Sequence, residues 1–205
     1  MTVRDDFPDG LARCAWVDHT EGYRAYHDDE WGRPVGDDGR LFEQLCLEGF
    51  QAGLSWRTIL VKREAFRKAF AGFDMRRMAR FGDRQVEALL ADAGIVRHRG
   101  KIEAVIHNAR RALELQAEQG SLAAFLWRYE APARRGGPAP DPVPDPVPAE
   151  ARALSRDLKA RGWKFVGPTT MHAFMQAVGM LNDHHPACCR HADCEAARAR
   201  FRRPG

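Results

Sequence analysis

The stretch ADAGIVRHRGKIEAV, residues 91–105, joins two helical patterns through a turn that is both apolar and basic. Before it, residues 83–92 read as one amphipathic helix, stopped by Gly94. After it, Ile102, Val105, Ile106, Ala109 and Leu113 fall on one stripe of a helix that begins near Gly100 and Lys101 and reaches Leu115. Between them stand the apolar pair Ile95 and Val96 and the basic run Arg97, His98, Arg99. The first turn of a helix leaves backbone N–H groups unpaired. With Arg97, Arg99, Gly100 and Lys101 around them, they form an arrangement that grips a phosphate without reading sequence. Any helix turn with a glycine and a few basic residues has some of this character, so the neighbouring elements must be read too.

Upstream, Leu41, Phe42, Leu45, Cys46 and Gly49 recur at helical spacing after Asp38, and Ser55 is a good N-cap for a helix carrying Ile59, Leu60 and Phe66. Downstream, helical patterns cover 122–129, 149–159 and 170–181, and no segment alternates β-branched residues with period two. The chain reads as all-α, with a single domain over residues 13–189. Residues 131–149, APARRGGPAPDPVPDPVPA, hold seven of the twelve prolines. Proline lacks a donor and breaks helix and ladder alike, so this stretch reads as a surface loop inside that domain. Residues 1–12 read as a flexible N-terminus and 190–205 as a basic tail, with little in either to bury.

The 205 residues suit one domain with a sizeable core. Hydrophobic residues make up 44% and charged ones 29%, a globular balance, and no apolar run approaches the roughly 18 residues of a membrane span. MTVRDDFPDG, residues 1–10, carries no apolar export signal, so the expected location is the cytoplasm. A net charge of +4 admits an anionic partner without specifying one. Five cysteines, an odd number without an export signal, point to free or metal-bound thiols and away from a disulfide framework.

Two constellations carry chemistry. Cys14 and His27 are separated by twelve intervening residues near one end, and His184 and Cys188 by three near the other. Two donors from each end would make a tetrahedral Cys2His2 set, a closed and therefore structural zinc site. His19, His185, His191, Cys189 and Cys194 crowd the same regions, so spacing alone leaves chance proximity open. The second constellation is aromatic: Trp16, Tyr23, Tyr26 and Trp31 fall within sixteen residues, followed by LEGFQAGLSW, residues 47–56, with Glu48 and Trp56. A carboxylate beside several rings can hold a flat heterocycle by stacking and hydrogen bonding, but aromatic clusters also serve simply as packing.

Taken together, RCAWVDHTEGYRAYHDDEWG (13–32), LFEQLCLEGFQAGLSW (41–56), DAGIVRHRGKI (92–102), RGWKFVGPTTMHAFMQAVGMLNDH (161–184) and the pair Cys188-Cys189 resemble the bacterial DNA-3-methyladenine glycosylase I family, in one order over most of the chain. The resemblance implies a helix-hairpin-helix glycosylase fold, with residues 91–105 as the DNA-backbone grip. It implies one structural zinc on Cys14, His27, His184 and Cys188, stapling the two ends together. A base-binding pocket is implied at Glu48, Tyr26 and Trp56, with Trp16 and Trp31 nearby. The implied partner is double-stranded DNA carrying alkylated bases, and the expected state is a monomer.

One departure from related glycosylases is instructive. Many of that architecture use an Asp downstream of the hairpin, whereas here the next Asp after Asp92 is Asp141, inside the proline-rich stretch. The implied substrate makes that tolerable. Methylation at N3 gives adenine a positive charge, so the base departs neutral and needs no protonation. The enzyme must instead extrude the lesion, hold it between rings and exclude plain adenine, which is the task expected of Glu48 as the catalytic residue and of the surrounding aromatics. The competing readings are a non-catalytic zinc-stapled DNA-binding module and a zinc hydrolase, the latter requiring an open metal position.

Overall fold

The computed structural model describes residues 2–132 and 147–205. Among them, eleven α-helices carry the fold: α1 (Glu21–Ala25), α2 (Asp38–Gln51), α3 (Trp56–Val61), α4 (Arg63–Ala69), α5 (Met75–Met78), α6 (Asp83–Ala91), α7 (Arg99–Gln119), α8 (Leu122–Leu126), α9 (Ala149–Ala160), α10 (Pro168–Ala177) and α11 (His191–Arg200). A π-helical turn, Tyr26–Glu30, continues α1. The one sheet among the described residues is a two-residue antiparallel ladder of β1 (Val3–Arg4) and β2 (Arg13–Cys14). The protein is therefore mostly helical, as its periodicity predicts.

α2 is the central element, with α7, α8 and α10 packed against it. Its N-cap, Asp37, accepts from Arg40 N at 2.8 Å, and it buries Leu41, Phe42, Leu45, Cys46, Leu47 and Phe50. The neighbouring Asp38 carboxylate accepts from Gln116 Nε2 and from the amides of Leu122 and Ala123 at 2.6–2.9 Å. One side chain thus caps α8 and ties it, with the end of α7, to the start of α2. Phe50, Phe66, Phe70 and Phe73 stack in sequence behind α2, with centroids 4.6–6.2 Å apart, and each fully buried ring stabilises by about 1.5–3 kcal/mol.

The α6–α7 connection is held from beneath. Asp92 Oδ1 accepts from Gly94 N at 2.7 Å, and Lys62 Nζ donates to the carbonyls of Ala93 and Gly94. A Cβ on Gly94 would lie 2.9 Å from Asp92 Oδ1 and 3.0 Å from Ala65 Cβ, so the close approach of this turn to α4 requires glycine. Ile95 is buried, while Arg97, His98 and Arg99 remain exposed above it.

Both chain ends depart from expectation. Residues 1–12 are not a loose end: β1 pairs with β2 in the register Val3↔Cys14, and Phe7 is buried under the Arg13 guanidinium, 4.7 Å from the ring centroid. The expected basic tail instead forms α11, burying Cys194 and Arg198. Arg198 donates to the carbonyls of Met180 and Ala131, and Phe201 packs on Trp127 with centroids 4.4 Å apart. In both segments a few apolar and partner-seeking residues outweigh a polar composition. The proline-rich loop expected at 131–149 lies, over residues 133–146, outside the described residues.

Candidate active site and metal centre

Cys14, His27 and Cys188 converge at the junction of the two chain ends, all buried, with their donor atoms within 4.8 Å of one another, a group that could hold a metal ion. Cys14 comes from β2, His27 from the π-helical turn and Cys188 from the loop after α10. A chain of charge, exposed at Asp9 and buried at Arg13 and Asp28, orients His27. Asp9 and Asp28 both accept from the Arg13 guanidinium, and Asp28 Oδ1 also accepts from His27 Nδ1 at 2.7 Å. Burial pushes the Asp28 carboxyl up, but Arg13 and His27 hold it at about 2, so it is ionised and can only accept. His27 Nδ1 therefore carries the proton and leaves Nε2 as a free ligand atom, 3.5 Å from Cys188 Sγ. The hydrogen bond from Cys14 pulls the Cys188 thiol down toward thiolate, while the same Cys14–Cys188 contact and burial push Cys14 up.

His184, the fourth sequence-predicted ligand, stands beside this group and outside its tight cluster, its ring centroid 5.0 Å from that of His27. Its Nδ1 pairs with Asn182 Oδ1 at 2.9 Å, and its Nε2 is buried with no partner. Burial lowers its pKa to about 4, assisted by His27, so the imidazole is neutral at pH 7. A neutral, orphaned imidazole nitrogen next to two thiols and a second free imidazole nitrogen is a donor set that fits a soft-to-borderline metal. Gly32 makes room for it: a Cβ there would fall 2.7 Å from the His184 ring. Cys189 and Cys194 lie outside the group, the Cys194 thiol being directed at Trp31 O.

On the other side of the π-helical turn lies the aromatic site. That turn places Tyr26 and His27 in succession, so Tyr26 faces Trp56 while His27 faces the sulfurs. The Tyr26 and Trp56 rings are 5.2 Å apart at 41°, and Trp56 Nε1 is buried without a partner. Glu48, in the last full turn of α2, is 4% exposed and accepts from Gln44 Nε2 at 2.8 Å. Burial raises its carboxyl to about 8, with Gln44 opposing the shift, and both burial and the Glu48 charge push the Tyr26 hydroxyl up. Trp16 contacts Tyr26 at 6.4 Å and Trp31 at 5.0 Å. Trp31 itself stands against the two imidazoles, 4.5 Å from His184 and 6.2 Å from His27, so it walls the metal group as much as the aromatic site.

The hairpin residues divide. Arg97 is exposed, and Arg99 is exposed but paired with Glu87 at 2.6 Å and Glu103 at 3.6 Å. Gly100 lies in the first turn of α7, capped by His98 Nδ1 accepting from Lys101 N at 3.2 Å. Lys101, expected on phosphate, turns inward instead. It is buried, and its Nζ donates to Phe50 O at 2.9 Å and Ala52 O at 2.6 Å, at the end of α2. Unpaired carbonyls at a helix C-terminus attract an ammonium, and that attraction exceeds its preference for solvent here. Sequence reasoning missed the Asp9–Arg13–Asp28 relay, although Asp28 adjoins His27 in the chain and a carboxylate beside a candidate ligand histidine was a usable signal.

The methyladenine glycosylase family model matches residues 16–191. The chain is 46% identical over 180 residues to DNA-3-methyladenine glycosylase 1 of Escherichia coli, covering 87% of this chain and 96% of that protein. It is 41% identical over 177 residues to a DNA-3-methyladenine glycosylase of Haemophilus influenzae, covering 86% and 96%. A crystal structure of 3-methyladenine DNA glycosylase I superposes with a TM-score of 0.81 at 46% identity, over 87% of this chain and 99% of that one. A Staphylococcus aureus enzyme of the same name, solved for the basis of its 3-methyladenine recognition, gives 0.81 at 36% identity, over 87% and 96%. Matched nearly end to end with relatives this similar, the chain belongs to the methyladenine glycosylase family.

Proposed function

We propose that this protein excises 3-methyladenine from alkylated double-stranded DNA, and that Glu48, Tyr26 and Trp56 carry the recognition from which its activity follows. The chain is a DNA-3-methyladenine glycosylase: water adds at C1′ of the deoxyribose and gives up a proton to solvent, the N-glycosidic bond breaks with its electron pair going to the base, the methylated base leaves neutral, and an abasic site remains. The single observation supporting the residue assignment is the buried Glu48 carboxyl on the edge of a Tyr26–Trp56 ring pair whose indole N–H has no partner. A buried donor and a buried acid with only Gln44 for company are costly unless a polar ligand meets them. An adenine offers both edges, an amino group toward the carboxylate and ring nitrogens toward the N–H.

The substrate's charge supplies the discrimination. A cationic base gains about 0.5–2 kcal/mol per aromatic face that neutral adenine does not. Its charge also favours ionised Glu48, which strengthens their hydrogen bond at a buried carboxyl. The same carboxylate faces the growing positive charge on the sugar as the base departs. Trp16 and Trp31 back the pocket and join it to the metal group. Arg97, Arg99 and the amides around Gly100 hold the phosphates, which positions the duplex without reading its sequence.

Cys14, His27, His184 and Cys188 would hold one Zn2+, a closed set that supplies a structural tie between the chain ends and no open position for chemistry. We place the protein in the cytoplasm as a monomer; no helix among the described residues is long and apolar enough to cross a membrane. The test is incubation with methylated duplex DNA followed by chromatography of released bases. Release of 3-methyladenine is the expected result, and its absence would leave the non-catalytic DNA-binding reading in its place.

A further inference from the structure

Among the described residues three non-glycines have positive φ: Ala71, Phe73 and Phe165, at 54°, 56° and 56°. Phe73 is buried in the core, whereas Phe165 is 40% exposed. A bulky residue in the left-handed region is strained, and it persists only where its surroundings over-determine the backbone. Around Phe165 they do. Asn108 donates from Nδ2 to Lys164 O and accepts from Lys164 N, both at 2.9 Å. Ser155 Oγ donates to Val166 O at 2.7 Å, and His107 Nε2 donates to Gly162 O at 2.9 Å. Side chains of α7 and α9 thus clamp the backbone on both sides of a strained, outward aromatic.

The ring also stands between the two elements assigned to DNA and to the base. Its centroid is 6.5 Å from the imidazole of His98, the N-cap of α7, and a Cβ added to Gly49, the residue after Glu48, would meet Phe165 Cβ at 3.5 Å. Arg97, His98 and Arg99, at the turn into α7, and Lys164, next to the ring in the chain, are all exposed. An exposed aromatic face beside a basic turn matches a nucleic-acid strand, with phosphates along the turn and a base or sugar on the ring.

We propose that Phe165 is a DNA-contacting residue that stacks against the strand flanking the position from which the damaged nucleotide is turned out. The assignment rests on the glycosylase reading and adds a contact to it. Phe165→Gly, Phe165→Ala and Phe165→Tyr are compared with wild type using three probes: a duplex holding a tetrahydrofuran abasic site, the same duplex intact, and free 3-methyladenine. Glycine relieves the left-handed strain, so Phe165→Gly should melt no lower than wild type and yet bind the abasic duplex about tenfold more weakly. Phe165→Ala should show the same loss and Phe165→Tyr should restore affinity, with free-base binding unchanged throughout. Abasic-duplex affinity within about twofold of wild type in both small variants overturns the proposal. So does a Phe165→Gly variant whose melting temperature and free-base binding fall together, the mark of a purely structural ring. Base release by wild type is read separately: a wild type that needs Phe165 for the abasic duplex but releases no base leaves this contact standing and removes the glycosylase reading.

Discussion

Burial holds the Glu48 carboxyl protonated up to about 8, whereas a cationic base beside it would draw that proton off. Two pH effects follow, of opposite sense. For folding, the native state keeps a proton that the unfolded chain gives up between 4.5 and about 8, so stability falls as pH rises through that window. Glu48→Gln removes the ionisation and keeps an acceptor for Gln44, so at pH 8 it should melt higher than wild type by the equivalent of a few kcal/mol, the gap closing toward pH 4. For catalysis, ionised Glu48 is the form that favours the lesion, so kcat/KM should climb as pH rises toward about 8, and this limb should be missing in Glu48→Gln. A wild-type melting curve insensitive to pH over that range would contradict the buried-acid description. Trp56→Ala removes a stacking face worth about 1–3 kcal/mol, and titration of free 3-methyladenine against Trp fluorescence should show binding weakened tenfold or more, with intact-duplex affinity hardly changed.

The α6–α7 hairpin and the end of α2 act as one unit because Lys101 joins them, its ammonium on Phe50 O and Ala52 O. Lys101→Glu would set a carboxylate against two carbonyls, so it should lower the melting temperature, by the equivalent of about 3 kcal/mol or more, and weaken free-base binding through displacement of the segment after Glu48. Arg97→Glu should do neither, and should instead weaken every duplex alike and reduce the slope of log affinity against log salt by about 1. Parallel melting and salt titrations of the two variants separate the roles; equal behaviour would show that the inward position of Lys101 has no consequence. The sequence exposed the turn between α6 and α7 because its signal is local, a glycine, two apolar residues and a basic run in one stretch. It concealed the direction of Lys101 because the carbonyls that capture it lie about fifty positions earlier in the chain. The π-helical turn at Tyr26–Glu30 was likewise illegible, since one widened turn leaves no periodic trace, yet it is what sends Tyr26 and His27 to different sites.

At the scale of the molecule the packing is divided between a large core around α2 and α7 and a small cluster of Phe7, Cys14, Val17, Tyr26, Trp31, Ala177 and Cys188, with Trp56 packed against both. The large core was readable from helical stripes. The small one was readable only in part: Cys14, Tyr26, Trp31 and Cys188 stood out as ligand and ring candidates, whereas Phe7 is hidden in a chain end of polar composition. A metal on Cys14, His27, His184 and Cys188 would lie inside the small cluster, where apolar burial is least able to hold the chain ends alone. Removing it with a chelator should therefore lower the melting temperature by roughly 5 °C or more, the response of a domain of this size to about 2 kcal/mol. The loss should begin locally: amide exchange at Val3 and Cys14 should quicken while the amides of α2 and α7 stay protected. Cys14→Ser and Cys188→Ser should reproduce the chelated state and contain less than one zinc per chain, whereas Cys189→Ser should retain a full equivalent, because its sulfur lies outside the group. Full metal content in either of the first two variants would mean that the ends are stapled by other residues. Unchanged exchange at β1 and β2 after chelation would mean that the Asp9–Arg13–Asp28 relay holds them without any metal.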